Sequence, residues 1–336
     1  MSARKAISLA FGAAISAVFL WLIFRALPFG GLVAAMGRAE PAWLAVALAC
    51  FGFGYGCRIW RWRLMLAHAN PTVTWARCSV PFMVSIAANN VLPFRAGDVL
   101  RGVAFSGWLG VPTARVLATL LVERLLDLFL LIATLALALF LFGTERAGLT
   151  AFFDLSAGAI AALAAGVALV LLVPGIFEPL CRALVRAVPG QAIAGKLMQQ
   201  VDHVFHTLAA LAARGRMAQL MVWSFFAWAL EAGVFYAIAR SLPDITAPVA
   251  AWVAMPVGTL STLLPSTPGY VGTFHFFVMQ ATEALGNPAV AAAAFAFLVH
   301  LALFIPATLW GGASFVYWML SRPANAAPLS KVTSQQ

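Results

Sequence analysis

Apolar runs long enough to cross a bilayer alternate with short charged breaks along almost the whole chain of 336 residues, a pattern that predicts membrane-spanning helices. The first run covers about Ala6 to Leu27 and stops at Arg25 and Pro28. A second covers about Ala42 to Ile59 and exits into a basic cluster of Arg58, Arg61, Arg63, His68 and Arg77. Further runs cover about Thr113 to Phe142, Leu155 to Phe177 and Met217 to Ala239, and a last one ends near Leu320. Two segments break the regularity. Cys78 to Leu92 contains Pro81, ends at Asn89-Asn90, and leads through Pro93-Phe94-Arg95-Ala96-Gly97-Asp98 into a short helix from Val99 to Leu109. Ala247 to Leu264 is broken by Pro256 and Gly258 and leads through Pro265-Ser266-Thr267-Pro268-Gly269-Tyr270 into a short helix ending at Leu285. The stretch from Glu178 to Arg216 is polar enough to leave the bilayer. Within it Leu197, Val201, Val204, Leu208 and Leu211 recur at helical spacing, which predicts an amphipathic helix near 192–213.

Composition supports this reading, with 63% hydrophobic and 10% charged residues against about 25% charged in soluble domains. A net charge of +10 could suit a nucleic-acid partner, but the positive residues sit in short clusters beside apolar runs. That is the mark of cytoplasmic loops, and no nucleic acid is expected. Cys50, Cys57, Cys78 and Cys181 show no metal-binding spacing. Arg4 and Lys5 precede an apolar run too long for a signal-peptide core, so it reads as the first span. Counting Lys and Arg places both termini in the cytoplasm of a bacterial inner membrane. Loop charge then balances only if the two irregular segments are re-entrant, the first entering from the cytoplasm and the second from the periplasm.

The irregular segments also resemble each other. Leu92-Pro93-Phe94-Arg95-Ala96-Gly97-Asp98-Val99 and Leu264-Pro265-Ser266-Thr267-Pro268-Gly269-Tyr270-Val271 share L-P-x-x-x-G-x-V, and Leu109-Gly110-Val111-Pro112 matches Leu285-Gly286-Asn287-Pro288. Two matches in one order, each before a long span, predict an inverted structural repeat of the kind secondary transporters use. The expected fold is therefore an all-α integral membrane protein with about six full spans and two re-entrant broken-helix segments. Residues 1–142 form the first repeat, with its re-entrant segment near 78–109. Residues 143–320 form the inverted second, with a cytoplasmic amphipathic helix and a re-entrant segment near 247–285, and 321–336 form a short cytoplasmic tail. Two structural loops in a helix bundle remain the alternative.

Within this frame the chemistry falls at membrane depth. Glu123, Arg124 and Asp127 lie inside a long span, at spacings that allow mutual pairing. They read either as a self-neutralising packing device or as a substrate site, with Arg124 holding a headgroup phosphate. Arg124 aligns with His300 in the repeat, and His275 follows the second broken segment directly. Arg95 and Arg101 flank Asp98, where an anion could meet guanidinium groups; ordinary interface arginines are the alternative. Asn89 and Asn90 can donate and accept, as can the broken stretch holding Pro265, Ser266 and Gly269, and Glu231 is another intramembrane carboxylate. His203, His206 and Asp202 sit on a polar helix face and read as solvated rather than metal-binding. Neither a P-loop nor G-x-S-x-G nor H-E-x-x-H occurs, so neither ATPase nor other catalysis, cofactor or metal is expected.

Asn89 through Asp98, then Arg101, then Glu123-Arg124-Leu125-Leu126-Asp127 resemble the lysylphosphatidylglycerol synthase transmembrane-region family, also called flippase-like. Leu264 through Thr273 resembles its second signature. The resemblance covers nearly the whole chain and departs at Phe94 and Tyr270, where smaller residues are usual. It implies a lipid-translocating module, joined in some members to a soluble aminoacyl-transferase domain. About sixteen residues follow the last span, whereas a catalytic domain needs on the order of 100, so lysyl transfer is not expected of this chain. Relatives are linked to phospholipids, hopanoids and glycolipids. The expected function is a flippase for an anionic or isoprenoid-derived lipid; an integral-membrane enzyme or a scaffold in lipid-linked biosynthesis is the alternative. Expected partners are the lipid itself, with biosynthetic enzymes and a second copy of the chain left open.

Overall fold

The computed structural model describes residues 3–27, 29–142, 157–188, 190–212, 215–264 and 266–321. Every regular element among them is helical: α1 (Ala3–Ala26), α2 (Phe29–Gly37), α3 (Pro41–Leu66), α4 (Trp75–Val91), α5 (Ala96–Ala104), α6 (Ser106–Leu109) and α7 (Thr113–Phe142). After 143–156, which lies outside the described residues, come α8 (Ala157–Leu172), α9 (Glu178–Arg186), α10 (Gln191–Ala212), α11 (Arg216–Ser241), α12 (Ala251–Ser261), α13 (Thr273–Ala284) and α14 (Ala289–Leu320). Four of these, α3, α7, α11 and α14, are long and apolar enough to cross a membrane, and the chain is a multi-pass membrane protein. The count reaches six if two bent pairs each make one span, α1 with α2 (85°) and α8 with α9 (97°). The expected boundary between repeats at 142–143, Pro265 and the tail at 322–336 fall at or beyond the edges of the described residues.

One boundary is corrected. The second span does not end near Ile59; α3 continues to Leu66 and carries Arg58 and Arg61 inside it. Charge on a sequence looks like an exit from the membrane, but here both guanidinium groups meet carboxylates of other helices, so the helix has no reason to stop.

The two irregular segments each close as a helical hairpin. In the first, α4 turns at Pro93–Arg95 and returns as α5 and α6. Its two ends are clasped: Arg77 Nε donates to the Trp108 carbonyl, and Trp108 Nε1 donates to the Arg77 carbonyl at 2.9 Å. The second bond also explains why Pro81 does not break α4. A proline removes the N–H that would serve the carbonyl four residues earlier, and that carbonyl is Arg77, supplied by Trp108 instead. Gly97, at the tip, lies so close to the Ser85 carbonyl that a Cβ would collide with it. In the second hairpin α12 turns at Pro268–Tyr270 and returns as α13. Asn287 clasps its ends, accepting from Ala247 N at 2.9 Å and donating to the Ala247 carbonyl at 3.3 Å. The matched L-G-x-P stretches end both hairpins on left-handed glycines, Gly110 (φ 63°) and Gly286 (φ 87°).

Neighbour relations are alike in the two halves. Helix α3 packs along α11, α4 packs on α14 while α12 packs on α7, and each hairpin's returning arm packs on the long helix that follows it. Buried apolar side chains form two clusters, one around the first hairpin with Trp62, Phe82 and Phe105, the other around the second with Phe235, Phe274 and Phe295. The amphipathic helix expected near 192–213 is α10, whose apolar residues Phe205 and Leu208 are buried; it packs chiefly against α7.

Candidate functional site

A cavity of about 410 Å³ lies between α3, α4, α7, α11, α12 and the first hairpin tip. Its polar wall carries Arg58, Arg95, Glu123, Arg124, Asp127 and Glu231; its apolar wall carries Ile86, Leu128, Leu131 and Leu260. A smaller cavity of about 130 Å³ adjoins it, reaching Asn90, Gly269 and His300. Tyr55, Glu231, Thr259 and Thr262 line both.

Glu123, Arg124 and Asp127 of α7 do not pair with one another. Successive residues on an α-helix point about 100° apart, and each of these side chains finds a different neighbour. Glu123 accepts from Arg101 Nη2 at 3.2 Å, and Arg124 Nη2 donates to Asp98 Oδ2 at 2.7 Å. Asp127 Oδ1 takes Arg61 Nη1 at 2.7 Å and Trp228 Nε1 at 3.1 Å, with Arg58 Nη1 at 3.9 Å. Arg61 is 0% exposed and also donates to Ser224 Oγ at 2.7 Å. Arg58 donates to Glu231 and lies over the Trp228 ring, 4.4 Å from its centroid. The self-neutralising arrangement within one helix is thus replaced by neutralisation between helices.

The other expected site residues divide. Asp98, held also by Ser85 Oγ and Asn89 Nδ2, carries Arg124 at the cavity wall. Asn90 donates to Thr308 Oγ1 at 2.9 Å and lines the smaller cavity. His300 Nε2 faces the Gly269 carbonyl at 2.7 Å; a carbonyl only accepts, so this nitrogen carries the proton. Arg124 and His300, which the sequence comparison sets opposite each other, thus each bind the tip region of a different hairpin. Three others do not line either cavity. Arg101 is buried between Trp62 and Phe82, 4.7 Å from each ring centroid, and does not line the cavity. His275 accepts from Gly272 N at 3.1 Å and stacks on Phe297, so it caps α13 and backs His300, 4.6 Å away, rather than lining either cavity. Ser266 Oγ is buried without a partner and lines neither cavity.

Arg58, Tyr55, Trp228 and Thr262 line the cavity and Arg61 backs Asp127 from behind its wall; none of them was expected there. A signal existed for the arginines: they lie three apart on one helix face, and Asp127 and Glu231 needed counter-charges. Asp202 pairs with Arg182 at 2.9 Å, and among the described residues no group of His, Cys, Asp and Glu could hold a metal ion.

Fold and site together define a multi-pass, all-helical membrane protein with a charged cavity between its helices and hairpin tips. The profile described as lysylphosphatidylglycerol synthase TM region matches residues 9–311, and the chain belongs to that family. It is similar to Glycosyltransferase AglD of Haloferax volcanii, 27% identical over 294 residues, which cover 78% of this chain and 47% of that protein. The chain spans about half the length of that relative.

Proposed function

We propose that this chain is a lipid translocator of the inner membrane, with both termini cytoplasmic and the two hairpins re-entrant from opposite faces. The observation that carries the reading is the pair of adjoining cavities, charged on one wall and apolar on the other. A headgroup needs polar ligands while its chains need hydrocarbon, and pockets of roughly 300–1,000 Å³ are the size that holds such a group. Irregular backbone at membrane depth is tolerated where it lines such a space. The likeness of neighbour relations in the two halves supports an inverted repeat whose halves exchange exposure. Transport would run downhill or on an ion gradient, and Glu231, which faces both cavities and is held by Arg58, serves as a fixed ligand on the path.

The enzyme reading has one supporting observation, the name of the longer relative. Against it, Glu123 and Asp127, the acid and base that reading would use, are each committed to a buried arginine. The deciding experiment is reconstitution in vesicles carrying headgroup-labelled lipids. Transbilayer movement faster than in protein-free vesicles supports translocation. Equal rates for phospholipids and for glycolipids alike would overturn it.

A further inference from the structure

The ionisable side chains around the larger cavity do not cancel. Five arginines, Arg58, Arg61, Arg95, Arg101 and Arg124, face four carboxylates, Asp98, Glu123, Asp127 and Glu231. The ion pairs assign every carboxylate: Arg58 to Glu231, Arg61 to Asp127, Arg101 to Glu123 and Arg124 to Asp98. One positive charge is left, and it belongs to Arg95. Among the described residues Arg95 has no carboxylate partner; its Nη2 donates to the Thr262 hydroxyl at 3.2 Å, and its guanidinium lies 5.9 Å from the Tyr270 ring centroid.

Backbone geometry singles out the same place. Two non-glycine residues among those described have positive φ, and they are Arg95 (50°) and Tyr270 (59°), which face each other across the two hairpin tips. A left-handed conformation at a non-glycine residue has a conformational cost and persists where the surroundings require it, most often at functional sites. An uncompensated cation at a partly buried cavity wall also has a cost, which one anion would offset.

We propose that Arg95 is the specificity-determining ligand of this cavity, and that the group it takes is a lipid headgroup of one net negative charge, such as an unsubstituted phosphodiester. The inference rests on the translocator reading and narrows its substrate class. A single negative charge brings the cavity to neutrality. A zwitterionic headgroup carries its own cation and restores the excess. A headgroup of two or more negative charges overshoots, and Glu231 and Asp127 on the same wall repel it. Because the phosphate would take the Nη2 donor that now binds Thr262 Oγ1, occupancy of Arg95 loosens the link between the hairpin tips.

The test uses the purified full chain in nanodiscs of mixed phosphatidylethanolamine, phosphatidylglycerol and phosphatidic acid, with tightly held lipid quantified by mass spectrometry after detergent exchange. The wild type is expected to retain phosphatidylglycerol about tenfold over phosphatidylethanolamine, the ratio one charge-assisted hydrogen bond supplies. Arg95→Gln removes the spare charge and Thr262→Glu neutralises it in place, so both are expected to abolish that preference while Arg95→Lys keeps part of it. Equal preference in the wild type and in a folded Arg95→Gln protein would overturn the proposal, as would stronger retention of phosphatidic acid. Inorganic phosphate added to the nanodiscs separates the sources. Saturable phosphate binding with no phosphatidylglycerol preference would assign the charge to a free anion and overturn the headgroup assignment. Vesicle assays keep the two readings apart: lipid movement without headgroup preference refutes this inference alone, whereas phosphatidylglycerol retention without any lipid movement refutes translocation alone.

Discussion

Among the described residues the buried charges, Arg61, Arg101, Glu123 and Asp127, are each held by a partner on another helix, so single substitutions there have consequences out of proportion to their size. Asp127 is the clearest case. It accepts from Arg61, which is fully buried, and from Trp228. Removing one member of a buried pair strands the other in low dielectric, at a cost of about 3–5 kcal/mol, whereas replacing both with apolar residues of like volume is often neutral. Asp127→Asn is therefore expected to lower stability by about that amount. The double replacement Arg61→Met with Asp127→Leu should recover most of it, as measured by thermal unfolding in one detergent. A double variant as unstable as the single one would mean that shape or the Ser224 and Trp228 hydrogen bonds dominate instead. The sequence made the α7 charges visible, because ionisable residues in an apolar run stand out. Their partners were not visible. Spacing along one helix permits Arg124 to reach Asp127, and nothing local says that Asp98 and Arg61 lie nearer. Arg58 and Arg61 were hidden for the same reason: without their distant carboxylates they look like a helix leaving the membrane.

Helices α4 and α14 cross where Gly311 meets the Met83 carbonyl and the Ala87 side chain, and a Cβ added at Gly311 would collide with both. The adjacent Gly312 faces open space. Close approach of this kind is how helices associate where lipid offers no hydrophobic gain. Gly311→Ala is expected to cost about 1–3 kcal/mol by overpacking, while Gly312→Ala should be neutral or gain up to about 1 kcal/mol in helix propensity. Melting of the two proteins followed by size-exclusion fluorescence separates them; similar midpoints would show that the crossing relaxes freely. The hairpins themselves were legible from the sequence, through the shared L-P-x-x-x-G-x-V and L-G-x-P stretches. Both glycines of the second stretch take the left-handed geometry that its sequence requires. The role of Pro81 was not legible, because the group that compensates it comes from Trp108, on the far arm. Trp108→Phe leaves the Arg77 carbonyl without a donor and is expected to loosen that end of the first hairpin. Faster hydrogen exchange confined to α4 and α6 would record it, and unchanged exchange would mean that another donor serves that carbonyl.

If the two halves exchange exposure, they must move against each other, and one contact between them can be locked. Ser16 of α1 donates to Thr267 Oγ1 at 3.0 Å, and Thr267 N donates back to Ser16 Oγ at 3.0 Å, tying the first helix to the tip region of the second hairpin. Side-chain oxygens this close, one bond beyond their Cβ atoms, keep the Cβ atoms within about 6 Å of each other, so a small shift of α1 brings them to the roughly 3.5–4.5 Å a disulfide needs. With Cys50, Cys57, Cys78 and Cys181 replaced, Ser16→Cys with Thr267→Cys is expected to oxidise readily. Lipid movement in vesicles should then fall toward the protein-free rate and return on reduction. The control ties together groups that stay together: Thr246→Cys with Asn287→Cys joins the clasped ends of one hairpin, where Thr246 Oγ1 lies 3.4 Å from Asn287 Oδ1, and its oxidation should leave transport unchanged. Undiminished lipid movement with the Ser16–Thr267 bond closed would mean that this contact does not open during transport. The lipid would then pass over a fixed charged surface between the two cavities, with Arg95 and Glu231 acting as stationary ligands rather than as parts of a moving gate.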